Sequence, residues 1–243
     1  MPKTLSTKEP NLVEAVKRLK RIHQIWGLLL LGLGLLTELA AGNSHPVAGL
    51  ALMAVGLFAL VWGEPALLAT VATVFAFSIV PTINPRLTVL GPDPLLLFAT
   101  LSVIELIALV VGKALLVLTA ANQFFVYRFL YGTARATTED PDQPIIPPML
   151  PNRTDGLARS ARWIGLIGLA FGLGSLLFVF VAPPAFLTQI LAEMGGSLAV
   201  VAIGLGLGCA FSPTNERPAA LASVVTGLVA YVAAGVTLLR IGG

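Results

Sequence analysis

The sequence predicts an all-α fold, a polytopic membrane helix bundle of about seven transmembrane helices with a 3+1+3 parallel internal repeat. Three observations predict it: charge is scarce, apolar residues come in long blocks, and two pairs of segments recur in the same order. Of 243 residues, 56% are hydrophobic and 11% charged, whereas a soluble domain carries about 25% charged residues. A larger core does not absorb that deficit, because a surface in water still needs charge. Apolar blocks of about 18 residues or more read as membrane spans. The lipid bilayer is thus the first partner expected. A net charge of +3 gives nucleic-acid binding no support, so none is expected. The single cysteine, Cys209, excludes an internal disulfide and a Cys-rich metal site.

The first apolar run starts only near residue 24 and has no clear small-residue cleavage site, so the N-terminus does not read as a cleavable signal peptide. Asn11 and Glu14 have the spacing of a capping box. Leu12, Val16, Leu19, Ile22 and Trp26 recur at helical spacing, with Lys17, Arg18, Lys20 and Arg21 on the remaining positions. Residues 1–22 therefore read as a basic cytoplasmic N-terminal amphipathic segment at the membrane surface. The alternative is that these residues are the first turns of helix one.

The expected spans are 24–41, 46–63, 66–81, a long fourth helix from 95 to 132, 163–182, 193–211 and 219–239. The fourth exceeds the roughly 20 residues a bilayer crossing needs, so its distal part should leave the membrane. Phe124, Phe125, Tyr127, Phe129 and Tyr131 surround Arg128 there, as an aromatic belt would. Lysines and arginines gather in cytoplasmic segments. Placing the N-terminus inside puts twelve of them in the cytoplasm and only Arg86 and Arg240 outside, with Lys113 inside a helix. This predicts N-in, C-out topology in a bacterial-type inner (plasma) membrane or a thylakoid membrane.

The repeat rests on two ordered matches. Residues 49–57, GLALMAVGL, match 197–205, SLAVVAIGL; residues 65–73, PALLATVAT, match 218–226, PAALASVVT. Span one echoes span five through Trp26 and Gly27 against Trp163 and Gly165. The predicted units are three-helix unit A at 23–81, a linker plus long helix four at 82–132, a Pro-rich cytoplasmic loop at 133–160, and three-helix unit B at 161–243. An extra fourth helix gives both units the same orientation, related by an axis along the membrane normal. This layout resembles that of the SWEET and PQ-loop transporters in architecture alone. Their Pro-Gln signature is absent, and the N-in orientation is opposite to that usual for SWEETs.

Five prolines in 133–160 exclude a regular helix across its middle and favour extended backbone. Ile145, Ile146, Pro147, Pro148 and Met149 form an apolar, Pro-rich stretch suited to docking a partner; the alternative is a flexible linker.

The buried ionisable candidates are Glu105, Lys113 and Glu38. Glu105 falls about ten residues into span four, where an ionisable group marks a functional site by default. Lys113 is expected near the cytoplasmic end, snorkelling. Glu38 and Glu193 are expected to reach headgroups. Gly168, Gly172, Gly204 and Gly208 have the small-xxx-small spacing that lets helices approach closely. His23 and His45 fall at opposite ends of span one, which excludes a shared haem; each reads as an interfacial histidine. No phosphate-binding loop, zinc-protease or dinucleotide motif occurs. No catalytic residue, metal or cofactor is therefore expected, and the chain does not read as an enzyme. It reads as a non-catalytic accessory, assembly or scaffold component of a larger membrane complex, respiratory or photosynthetic, bound to other membrane-protein subunits. The alternative is a small-solute or ion transporter or channel.

Overall fold

The computed structural model describes residues 9–41, 46–62, 65–83, 103–137, 151–181, 185–212 and 214–241. Their regular structure is entirely helical: α1 (Glu9–Ala41), α2 (Pro46–Trp62), α3 (Pro65–Ile83), α4 (Val103–Thr137), α5 (Pro151–Val181), α6 (Ala185–Ala210) and α7 (Arg217–Ile241). Proline opens α2, α3 and α5, where its missing N–H is an orphan of the first turn in any case. The helices α5, α6 and α7 are long and apolar enough to cross a membrane. Shorter apolar stretches occupy 21–36, 67–79 and 110–125 of α1, α3 and α4.

Several boundaries differ from the sequence expectation. The N-terminal segment is continuous with the first span, so the basic stretch forms the first turns of α1. Helix α4 runs past Gly132 to Thr137. Helix α5 takes in 151–160, so both ends of the expected 133–160 loop are helical. Pro151, the last of the five prolines, sits where a helix tolerates one. Helix α6 starts at Ala185, eight residues ahead of the expected span, directly after Pro183-Pro184. Residues 84–102 and the stretch 145–149 lie outside the described residues.

Helices α5, α6 and α7 pack against one another in every combination. A Cβ on Gly168 would stand 3.2 Å from the Ala199 nitrogen, and one on Gly172 2.8 Å from the Ala230 carbonyl oxygen. One on Gly195 would stand 2.7 Å from the Gly172 nitrogen. As residue numbers rise along α5, their partners fall along α6 and rise along α7, so α6 is antiparallel to α5 and α7 parallel to it. Helices α1 and α2 form an antiparallel pair. Gly27 meets Leu60 and Gly56, while Gly56 meets Leu31.

The two expected three-helix units do not pack alike. Helices α6 and α7 touch extensively, but α2 and α3 touch little. Instead α3 packs on α4 and α6. Thr70 is the reason on the α6 side: a Cβ on Gly204 would stand 2.6 Å from the Thr70 Cα, so α6 presents its groove to α3. The shared core contains Trp26, Leu30, Val71, Phe75, Phe124 and Val200, drawn from α1, α3, α4 and α6. Phe124, expected in an aromatic belt, is thus a core residue, whereas Phe125 is exposed.

Candidate functional site

The described residues with the strongest chemical interest are the charged and polar groups enclosed by apolar helices. Lys113 is 8% exposed, and its Nζ donates to the Ser78 carbonyl oxygen at 3.0 Å. The contact corrects the snorkelling expectation for Lys113. Its ammonium turns onto α3, where the Ser78 carbonyl accepts from it.

Glu193 is 1% exposed and accepts a hydrogen bond from the Gln189 side-chain amide at 2.9 Å. It too is corrected from the headgroup position. Since α6 begins at Ala185, Glu193 lies two turns inside the helix, and the neighbouring helices cover it. Ser175 and Thr237 join α5 to α7 through their hydroxyls at 3.2 Å; each hydroxyl is also within hydrogen-bonding distance of a carbonyl of its own helix, so one donates across to the other helix while the other accepts. His23 is buried among the helices. One turn away, Trp26 donates its indole N–H to Gln123 at 2.6 Å and meets the Phe75 ring edge-on at 5.8 Å. These contacts pin α1 to α3 and α4.

Glu105 and Glu38 lie on α4 and α1, but their side chains fall outside the described part of the chain. The candidates Ile145, Ile146, Pro147, Pro148 and Met149, with His45, lie outside the described residues altogether. Gly168, Gly172 and Gly204 occupy close helix contacts within the chain, and Gly208 is buried in α6. By contrast, a Cβ on Gly32 of α1, Gly112 of α4 or Gly174 of α5 would meet nothing within 4 Å.

A second polar assembly closes one end of α5–α7. The Asp155 carboxylate accepts from the Thr214 hydroxyl at 2.6 Å and the Asn215 backbone N–H at 2.9 Å. The Asn215 side-chain amide adds a longer contact at 3.4 Å. Thr214 in turn accepts from the Glu216 N–H, and Arg217 donates to the last carbonyl of α6, that of Ala210. Asp155 stands in the polar turns of α5, ahead of the apolar stretch that begins at Trp163. The Thr214 hydrogen bond, and after it those from Asn215, hold its carboxyl below the ordinary aspartate value against the opposing effect of burial. The Arg159–Glu216 pair at 3.6 Å is solvent-exposed and adds little.

Sequence reasoning missed Glu193 as a buried acid and Asp155 as a cap. The first had a signal, since Pro183-Pro184 marks a helix start two turns upstream. The second had none, because its partners are remote in sequence. Among the described residues, no three His, Cys, Asp or Glu side chains gather as metal ligands would. The chain matches no known protein family, no curated protein and no solved structure.

Proposed function

We propose that the chain is a non-catalytic integral membrane protein that serves as an accessory, assembly or scaffold component of a larger membrane complex, respiratory or photosynthetic. In this reading all seven helices cross an inner (plasma) or thylakoid membrane, with the N-terminus and the 138–150 connection on the cytoplasmic or stromal side. The 3+1+3 repeat is part of the same reading, and one likeness between helix pairs supports it. The pairs α1–α2 and α5–α6 are both antiparallel with glycines at their contacts, while α3 has gone over to α4 and α6.

The observation that carries the reading is the set of glycines that internal packing does not use. Gly32 and Gly174 lie in apolar stretches of α1 and α5, and the space beyond their Cα atoms is open. A helical glycine is costlier than alanine by about 0.5–1 kcal/mol. In membranes that cost is recovered where another helix approaches closely. Around Gly174, α5 turns Leu173, Leu177 and Phe180 outward, which completes a surface for a partner helix. The experiment is purification in mild detergent with mass spectrometry of co-purifying proteins, for wild type and for Gly32→Leu and Gly174→Leu. A stoichiometric membrane-protein partner lost in a folded variant supports the reading. A clean monomer or homodimer from wild type sinks it.

The transporter alternative draws on the enclosure of Lys113 and Glu193, because buried charge in a span is a mark of ion or proton pathways. Dissipation of an imposed proton or cation gradient by the purified chain in liposomes would favour it over the accessory reading.

A further inference from the structure

We propose that Lys113 of α4 and Glu193 of α6 form a charge pair across the groove that α4 and α6 leave on α3, and that this pair ties α3–α4 to the α5–α7 unit. The placement of each group carries it. On α3, Thr70 faces α6 through Gly204. Ser78 lies eight residues further on, about 80° around the helix, so its carbonyl borders the groove that Lys113 enters. On α6, Glu193 precedes Gly204 by eleven residues, which brings it back to within about 20° of the same face. Glu193 is therefore on the α3 side of α6.

The two groups also agree in depth. Phe77, next to Ser78, packs edge-on against Tyr231 with ring centroids 4.5 Å apart. Tyr231 packs in turn on the cluster of Ala192, Ala234 and Leu238, and Ala192 is the neighbour of Glu193. An ammonium and a carboxylate, each enclosed by apolar helices, are therefore brought to one level around one end of α3. Each alone carries a large desolvation penalty; opposite charges within reach offset it.

Besides the buried His23 of α1 and Glu105, eight residues before Lys113 on α4, competing ionisable groups on the packed helices are few. Helices α2 and α3 contain no Asp, Glu, Lys, Arg or His. Helix α5 carries Arg153, Asp155, Arg159 and Arg162 only in the turns before its apolar stretch. Helix α7 brings Tyr231 and, near its end, Arg240, whose guanidinium sits over the Phe180 ring at 5.4 Å. Arg240 is the rival partner for Glu193.

The test uses the full chain in detergent micelles, with Lys113→Met, Glu193→Gln, the double variant and Arg240→Leu. Melting temperature and the infrared carbonyl band of protonated carboxyl groups are read at neutral pH. Lys113→Met should lower the melting temperature by roughly 6 °C or more. It should also raise a protonated-carboxyl band that disappears in the double variant, which recovers most of the lost stability. Additive losses in the double variant, no band in Lys113→Met, or the same band arising from Arg240→Leu would each overturn the pair. The exchange K113E/E193K carries the test if Lys113→Met does not accumulate. Accumulation above both single reversals supports the pair, and accumulation no better than theirs refutes it.

Discussion

Asp155 accepts hydrogen bonds from a turn 59 and 60 residues further along the chain. No local spacing announces such a contact, because the residues meet only after α5, α6 and α7 have packed. The sign of its pH dependence follows from the lowered carboxyl pKa. The folded chain binds the proton less readily than the unfolded chain, whose aspartates titrate near about 3.9. The contribution to stability is therefore complete above that value and is lost as pH falls through the folded pKa. Melting of the solubilised protein between pH 3 and 7 should show an acid loss in wild type that is smaller in Asp155→Asn, with Asp155→Asn the less stable near neutrality. Equal acid slopes in the two proteins would remove Asp155 from this role. Lys113 and Glu193 were partly legible at the same scale. Their charge inside apolar blocks marked them, but their depth depended on where α4 and α6 begin. A single ionisable residue at a span edge is ambiguous between the end of one helix and the interior of a longer one.

Helix ends followed proline more faithfully than they followed hydropathy. Pro46 and Pro65 opened α2 and α3 close to the expected positions. Pro151 and the Pro183-Pro184 pair set starts for α5 and α6 that a hydropathy edge placed too late. The mate chosen by α3 was not legible, since its apolar faces fit α2, α4 and α6 alike in composition. Close backbone approach decided it. Gly204→Val should therefore strike the α3–α6 contact, where the first added carbon already overlaps Thr70. The expected loss is about 1–3 kcal/mol, read as a lower melting temperature of the purified chain. Gly174→Ala is the matched control. Open space surrounds that position, so the change should be neutral or stabilising by up to about 1 kcal/mol. Equal losses from the two substitutions would show that glycine serves the helix itself rather than the contact between helices.

At the scale of the whole molecule, composition alone announced the membrane, because a chain with this little charge has nothing to present to water over so large a surface. Orientation is a separate matter and rests on the distribution of lysine and arginine. If all seven helices cross, the twelve-to-two bias falls on one side, and the polar Asp155–Thr214–Asn215 cap falls on that same side. Moving that face outward would carry Arg153, Arg159, Arg162 and Arg217 across with it, against the positive-inside rule. The chain suits a labelling test because its only cysteine, Cys209, is fully buried in α6. Wild-type protein in intact cells should therefore resist an impermeant thiol reagent. In a Cys209→Ala background, Gln143→Cys should stay unlabelled until the membrane is permeabilised, while Leu87→Cys should label from outside at once. Labelling of Gln143→Cys in sealed cells, with Leu87→Cys protected, would invert the orientation. Labelling of both before permeabilisation would break the seven-span count, since 143 and 87 are separated in the chain by a single helix, α4, whose crossing that count requires.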